Sequence, residues 1–125
     1  MSELEISDQN FDLSFLLEIA DGSDDFIVES IELFIKQTPE LMYAIDNAIR
    51  SKEWVTATQA AHKLKPNLGF FGMTDSQALM QEVEALAKLG QDNPLIRTKF
   101  NEIIARVKPT LAKLEIVMKA KAANL

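Results

Sequence analysis

The chain holds a single histidine, His62, and its setting is unlike that of a packing residue. On a helix turning about 100° per residue, Trp54, Ala57, Ala61, Leu64, Leu68 and Phe71 form one apolar stripe. His62 projects roughly 130° from the middle of that stripe, so a bundle that buries the stripe shows the imidazole to solvent. Lys65 follows by three residues and can meet the ring on the helix surface. Lys63 is close in sequence but points round the far side. Gly69 lies on nearly the azimuth of His62 two turns on, although an interior glycine costs a helix about 1 kcal/mol relative to alanine. Pro66 removes the amide that would have bonded the His62 carbonyl. Two helix-weakening residues beside an exposed imidazole imply that a partner surface comes close here and that bulk is excluded. An imidazole nucleophile with neighbouring ammonium groups suits an anionic adduct. Val55, Thr58, Gln59 and Phe70 complete a patch that a partner could cover. The plain alternative is a surface histidine without a role, the commoner fate of a lone histidine on a bundle.

Other chemistries are closed off by composition. There is no cysteine, which excludes disulfides, thiolate metal sites and cysteine nucleophiles. One histidine cannot build a site that needs two imidazoles from one chain. No Gly-x-Ser-x-Gly elbow and no glycine-rich phosphate loop is present. The net charge of −6 argues against nucleic acid as a partner, because phosphate binding needs a concentrated basic surface. Neither a signal peptide nor a membrane span is legible, and the expected location is the cytoplasm.

The elements that must carry His62 follow from periodicity. Residues 1–10 read as a loose, polar leader. Phe11 to Ala20 predicts a short helix with Phe11, Phe15, Leu16 and Ile19 on one side. Gly22 suits a left-handed stop and Ser23 the next cap, with Asp24 and Asp25 where the helix dipole favours negative charge. A second helix from Asp24 to about Ser51 buries Ile27, Ile31, Phe34, Leu41, Ile45 and Ile49, with a kink or two abutting segments near Thr38 because of Pro39. The third helix begins near Trp54, carries His62 and ends between Gly69 and Gly72. Thr74-Asp75-Ser76-Gln77 fits a capping box for a fourth helix reaching Leu89, with Leu79, Val83, Leu86 and Leu89 inward. Gly90 stops it, Asn93 caps the fifth, and Pro94 is that helix's first residue. Ile96, Phe100, Ile103, Val107, Leu111, Leu114 and Met118 line the fifth helix, which should bend at Pro109 and end near Lys119, leaving 120–125 frayed. The fold class is therefore all-α: an antiparallel up-down four-helix bundle over 11–119 with an additional short N-terminal helix.

The run Ala61-His62-Lys63-Leu64-Lys65-Pro66-Asn67-Leu68 resembles the histidine-containing phosphotransfer (HPt) domain of two-component phosphorelays. The family pattern is roughly His-x-Leu-Lys-Gly-x-Ser, with a further glycine ten residues after the histidine. His62, Leu64, Lys65 and Gly72 match. Pro66 stands where glycine is usual and Leu68 where a small residue is usual, with Gly69 one residue later. The stretch Phe34 to Leu41 is similar to the family as well, and the resemblance spans about 11–119.

That resemblance implies a phosphotransfer protein that accepts a phosphoryl group on His62 Nε2 from a receiver-domain aspartate and passes it to another receiver. Lys65 and Lys63 would supply positive charge. Glu84, or Gln81 one turn earlier, would hold the imidazole by Nδ1. The partners implied are response-regulator receiver domains and a hybrid histidine kinase, met by a monomer. Val55, Thr58, Gln59, Pro66, Gly69, Phe70 and Gly72 are the expected partner-facing residues. No cofactor is expected on this chain, with Mg²⁺ belonging to the receiver. The alternatives are a docking bundle that binds a receiver without carrying phosphate, and a phosphatase that aims Gln59 or Gln81 at a water in the receiver's site.

Overall fold

The computed structural model describes residues 4–125. Its helices are α1 Ser14–Ala20, α2 Asp24–Arg50, α3 Trp54–Phe70, α4 Thr74–Lys88 and α5 Pro94–Ala122. The connections at 51–53, 71–73 and 89–93 are too short to cross the bundle, so the four long helices alternate in direction. α2 packs on α3 and α5, and α4 packs on the same two, which closes a four-cornered bundle with α1 laid against α2. The expected all-α bundle is the fold found.

The caps explain why the helices start and stop where they do. Ser23 Oγ accepts from the Phe26 amide at 3.2 Å, and Asn93 Oδ1 accepts from the Leu95 amide at 2.9 Å. Both caps were legible in the sequence. The Thr74 capping box does not form. Met73 occupies the cap position with no side-chain bond, and Gln77 is turned across to α3 instead. At the end of α3 the chain closes in a Schellman turn, with Met73 N donating to Leu68 O at 2.9 Å and Gly72 left-handed at φ +66°. The same turn ends α2, where Lys52 takes the left-handed position at φ +58°.

α2 runs through Pro39 as one helix rather than as two segments. α5 runs through Pro109 to Ala122, three residues past the expected end. Beyond Pro109 its buried face shifts by one residue. Thr110, Leu114 and Val117 are inward, while Leu111 and Met118 are half-buried. Thr110 can turn inward because its hydroxyl donates to the Arg106 carbonyl at 2.9 Å. On α4 the inward residues are Ser76, Met80, Val83 and Ala87; Leu79 and Leu86 lie at the margin and Leu89 is exposed.

The N-terminal segment departs furthest from expectation. The helix begins at Ser14, and Phe11 and Leu13 precede it as fully buried residues. Leu16 and Ala20 are inward with them, whereas Phe15 and Ile19 are about half exposed. Residues 5–13 form a strap across the bundle. Leu13 N donates to Ile6 O, Asp12 N to Phe71 O, and Lys113 reaches both Glu5 and Asp8. The Arg106 guanidinium also donates to Asn10 Oδ1. Burying two large apolar side chains favours this arrangement by about 1.5–3 kcal/mol each, and the backbone bonds and Lys113 pairs add to the offset against the cost of ordering the segment. Only 1–3 of the expected loose leader lie outside the described residues. At the other terminus, Asn124 and Lys121 reach Asp24, so the end of α5 is held to the start of α2.

Candidate functional site

α3 buries Ala57, Ala61, Leu64 and Leu68, and Phe71 follows just past its end. This stripe turns His62 outward, with 71% of its side chain exposed. The imidazole is nevertheless held on one edge. Its Nδ1 lies 2.9 Å from Oε2 of Glu84 on α4. The other carboxylate oxygen, Oε1, accepts from Lys65 Nζ at 2.8 Å. Lys65 also donates to Gln81 Oε1. One carboxylate therefore spans an imidazole and an ammonium, and one amide steadies that ammonium.

The electrostatics follow from this sharing. The hydrogen bond from Lys65 holds the Glu84 carboxyl below the usual carboxylate range. Partial burial opposes this, and the His62 bond adds to it. An ionised carboxylate only accepts hydrogen bonds, so the Nδ1 facing Glu84 is the protonated nitrogen. That leaves Nε2 with its lone pair on the exposed edge of the ring. The arrangement presents a nucleophilic nitrogen of fixed orientation to whatever covers the surface.

Among the residues singled out by sequence, the structure brings His62, Lys65, Gln81 and Glu84 together. Lys65 does not stand free as a charge for an incoming anion; its ammonium is engaged by α4. Lys63 points elsewhere, into a shallow hollow with Gln37, Glu40, Leu41 and Asn67. Val55 is exposed and lines a groove of about 280 Å³ with Trp54, Thr58, Gln59, Ala87 and Lys88. The Thr58 hydroxyl is spent on the Trp54 carbonyl at 2.7 Å. Phe70 lines a second groove of about 260 Å³ with Leu33, Phe34, Gln37 and Asn67, and its ring meets Phe15 edge-on at 5.4 Å. Pro66 is exposed on the surface of α3.

Two glycines of the expected partner-facing patch have reasons inside the fold. A side chain at Gly69 would collide with the Gln77 amide, so the clearance beside the ring's helix is taken up by α4. A side chain at Gly72 would collide with the Asp12 backbone of the strap, in addition to straining its left-handed turn. Gln77 and the exposed Phe15 are neighbours of the site that the linear reading missed. The signal for Gln77 was present: Gln77, Gln81 and Glu84 step by four and three along α4. His62, Lys65 and Gly69 step by three and four along α3 in the opposite direction.

No described helix is long and apolar enough to cross a membrane. The Hpt domain family model matches residues 29–114, a stretch that begins in α2 and ends in α5 and contains the whole His62–Glu84–Lys65–Gln81 cluster. No match was found among curated proteins or among solved structures.

Proposed function

This chain belongs to the Hpt domain family, which gives it a phosphotransfer-related role in two-component signalling, and on that footing we propose that His62 is the phosphoryl carrier. The observation that carries the reading is the Nδ1 contact with Glu84, which leaves Nε2 as the free nucleophile on an exposed edge. In the proposed reaction Nε2 attacks the phosphorus of a receiver's aspartyl phosphate, and the aspartate leaves as carboxylate. The P–N bond then passes the phosphoryl group to the aspartate of a second receiver.

Phosphoryl transfer depends mainly on alignment and on charge placed around the equatorial oxygens. The bundle supplies the aligned nitrogen. Mg²⁺ and the acceptor carboxylate would come with the receiver, which accounts for the sparseness of the site on this side. Lys65 would act chiefly by pinning Glu84, and Lys63 lies off to one side, in the hollow with Glu40. The grooves beside Val55 and Phe70 would flank the docked receiver.

The test is transfer from a phosphorylated receiver with Mg²⁺ to wild type and to His62→Gln. Acid-labile, base-stable label on wild type alone is expected. Label on His62→Gln would exclude His62 as the carrier. Receiver binding that survives His62→Ala, with no transfer from any receiver of a panel, would replace this reading by that of a docking bundle.

A further inference from the structure

Resting on the reading that His62 carries the phosphoryl group, we infer that the Glu84 carboxylate keeps a proton on Nδ1 of the phosphorylated ring and thereby sets how readily His62 gives the group away. When neutral imidazole, protonated at Nδ1, attacks through Nε2, its lone pair forms the P–N bond and the ring becomes cationic. In the return step the P–N bond breaks and its electron pair goes back to Nε2. The ring leaves as neutral imidazole if Nδ1 still carries its proton. If that proton has been lost, the ring must leave as imidazolate, a far poorer leaving group, or first recover a proton from water.

The structure favours the first course. Glu84 Oε2 lies 2.9 Å from Nδ1, and its carboxylate charge stands opposite the ring that becomes positive. Glu84 is only 15% exposed and is pinned through Oε1 by Lys65, itself 22% exposed, while the ring is 71% exposed. The proton edge is therefore sheltered and the phosphoryl edge is open. An amide in place of Glu84 would accept the same hydrogen bond, but it would bring no charge to hold the proton. Lys65 works against Glu84 here, because it shares the carboxylate's charge. Further charged groups around the ring's helix include Lys63 on α3, with Glu40 of α2 in its hollow, Lys88 of α4 beside Gln59, and Glu53 at the start of α3. Glu84 is thus a positioning residue that acts through the imidazole, and it makes this carrier one that transfers rather than stores.

The test phosphorylates His62 chemically with phosphoramidate, so that no receiver is needed. Loss of the phosphoryl group is followed by phosphorus NMR across the neutral pH range in wild type, Glu84→Gln and Lys65→Met. Glu84→Gln should lose the group several-fold more slowly at neutral pH, with its pH profile displaced to lower pH, because the charge opposite Nδ1 is gone. Lys65→Met should displace the profile to higher pH. Opposite displacements distinguish charge from loosened packing, which would move both variants the same way. Coincident profiles, or displacement in one common direction, would overturn the inference. A receiver that fails to exchange phosphate with the labelled protein would overturn the carrier reading instead, and the Glu84 comparison would still be readable.

Discussion

Glu84 Oε2 and His62 Nδ1 stand 2.9 Å apart across the α3–α4 interface, joining residues 22 positions apart in the chain. The pairing is one rung of a longer register. His62 faces Glu84, Lys65 faces Gln81, and Gly69 faces Gln77. Each step along α3 is answered by an equal step back along α4, as antiparallel helices require. The imidazole is therefore held by the same register that holds the bundle together.

The tautomer of His62 should be readable directly. Nitrogen NMR of the wild type near neutral pH is expected to show the proton on Nδ1 in the neutral ring. Glu84→Ala should remove that preference, since the free imidazole otherwise favours the other nitrogen. Identical nitrogen shifts in the two proteins would mean that the contact does not fix the tautomer.

Acid should undo the cluster before it undoes the helices. The folded-state pKa of Glu84 lies below the ordinary 4.5, chiefly through Lys65. Its contribution to stability is therefore complete above that ordinary value and is lost as pH falls through the lower folded-state one. Stability of Glu84→Gln should be less dependent on pH in that acidic window, as measured by urea unfolding at a series of pH values. Equal slopes in wild type and variant would contradict the assignment.

Gly72→Ala should be costly for a structural reason. The added methyl meets the Asp12 backbone and strains a left-handed turn at φ +66°. A loss of about 2 kcal/mol or more is expected, because backbone cannot move aside as a flexible side chain can. Gly69→Ala meets only the Gln77 side chain, so its loss should be smaller, about 1 kcal/mol or less. Chemical denaturation of the two variants checks the order.

Lys52→Gly should stabilise the protein. Lys52 is left-handed at φ +58°, and its ion pair with Asp92 is exposed on both sides. Relief of the backbone strain is expected to exceed the lost pair, by about 0.5–1 kcal/mol. A lower midpoint of thermal unfolding would show that the pair matters more.

The strap should depend on Lys113. Burial alone would raise the Asp8 carboxyl, but the Lys113 bond and backbone amides of Asn10 and Phe11 hold it below the ordinary range. Bonds to Asp8 and Glu5 raise the Lys113 ammonium above its own. The tether's contribution is complete between the ordinary values of the two groups. It fades as pH falls through the lowered Asp8 value or rises through the raised Lys113 value. Lys113→Met should speed hydrogen exchange at Leu13, whose amide is bonded to Ile6, while leaving the middle of α3 protected. Unchanged exchange at Leu13 would show that buried Phe11 and Leu13 hold the strap without it.

Periodicity and capping chemistry are local, and they sufficed for much of this molecule. The apolar stripe from Ala57 to Phe71 by itself determined that His62 faces outward, because helical rotation leaves it no other direction. Ser23, Asn93 and Pro94 likewise determined where α2 and α5 begin. Spacing alone could not tell which of several apolar residues would be buried at a helix margin. Phe11 and Leu16 are inward as expected, but Phe15 and Ile19 yielded to Leu13 and Ala20 because the strap folds back over the bundle end, and that contact is between distant parts of the chain. Gln77 matched a capping box, yet its side chain lies over Gly69, a competitor that no local pattern reveals. Lys65 was legible as a neighbour of His62, but only the α3–α4 register decided that its charge is shared with Glu84 rather than left open. The sequence determined the exposed imidazole; the packing of α4 against α3 decided which nitrogen is free and which ionised groups surround it, because those depend on distances between helices that no spacing within one helix contains.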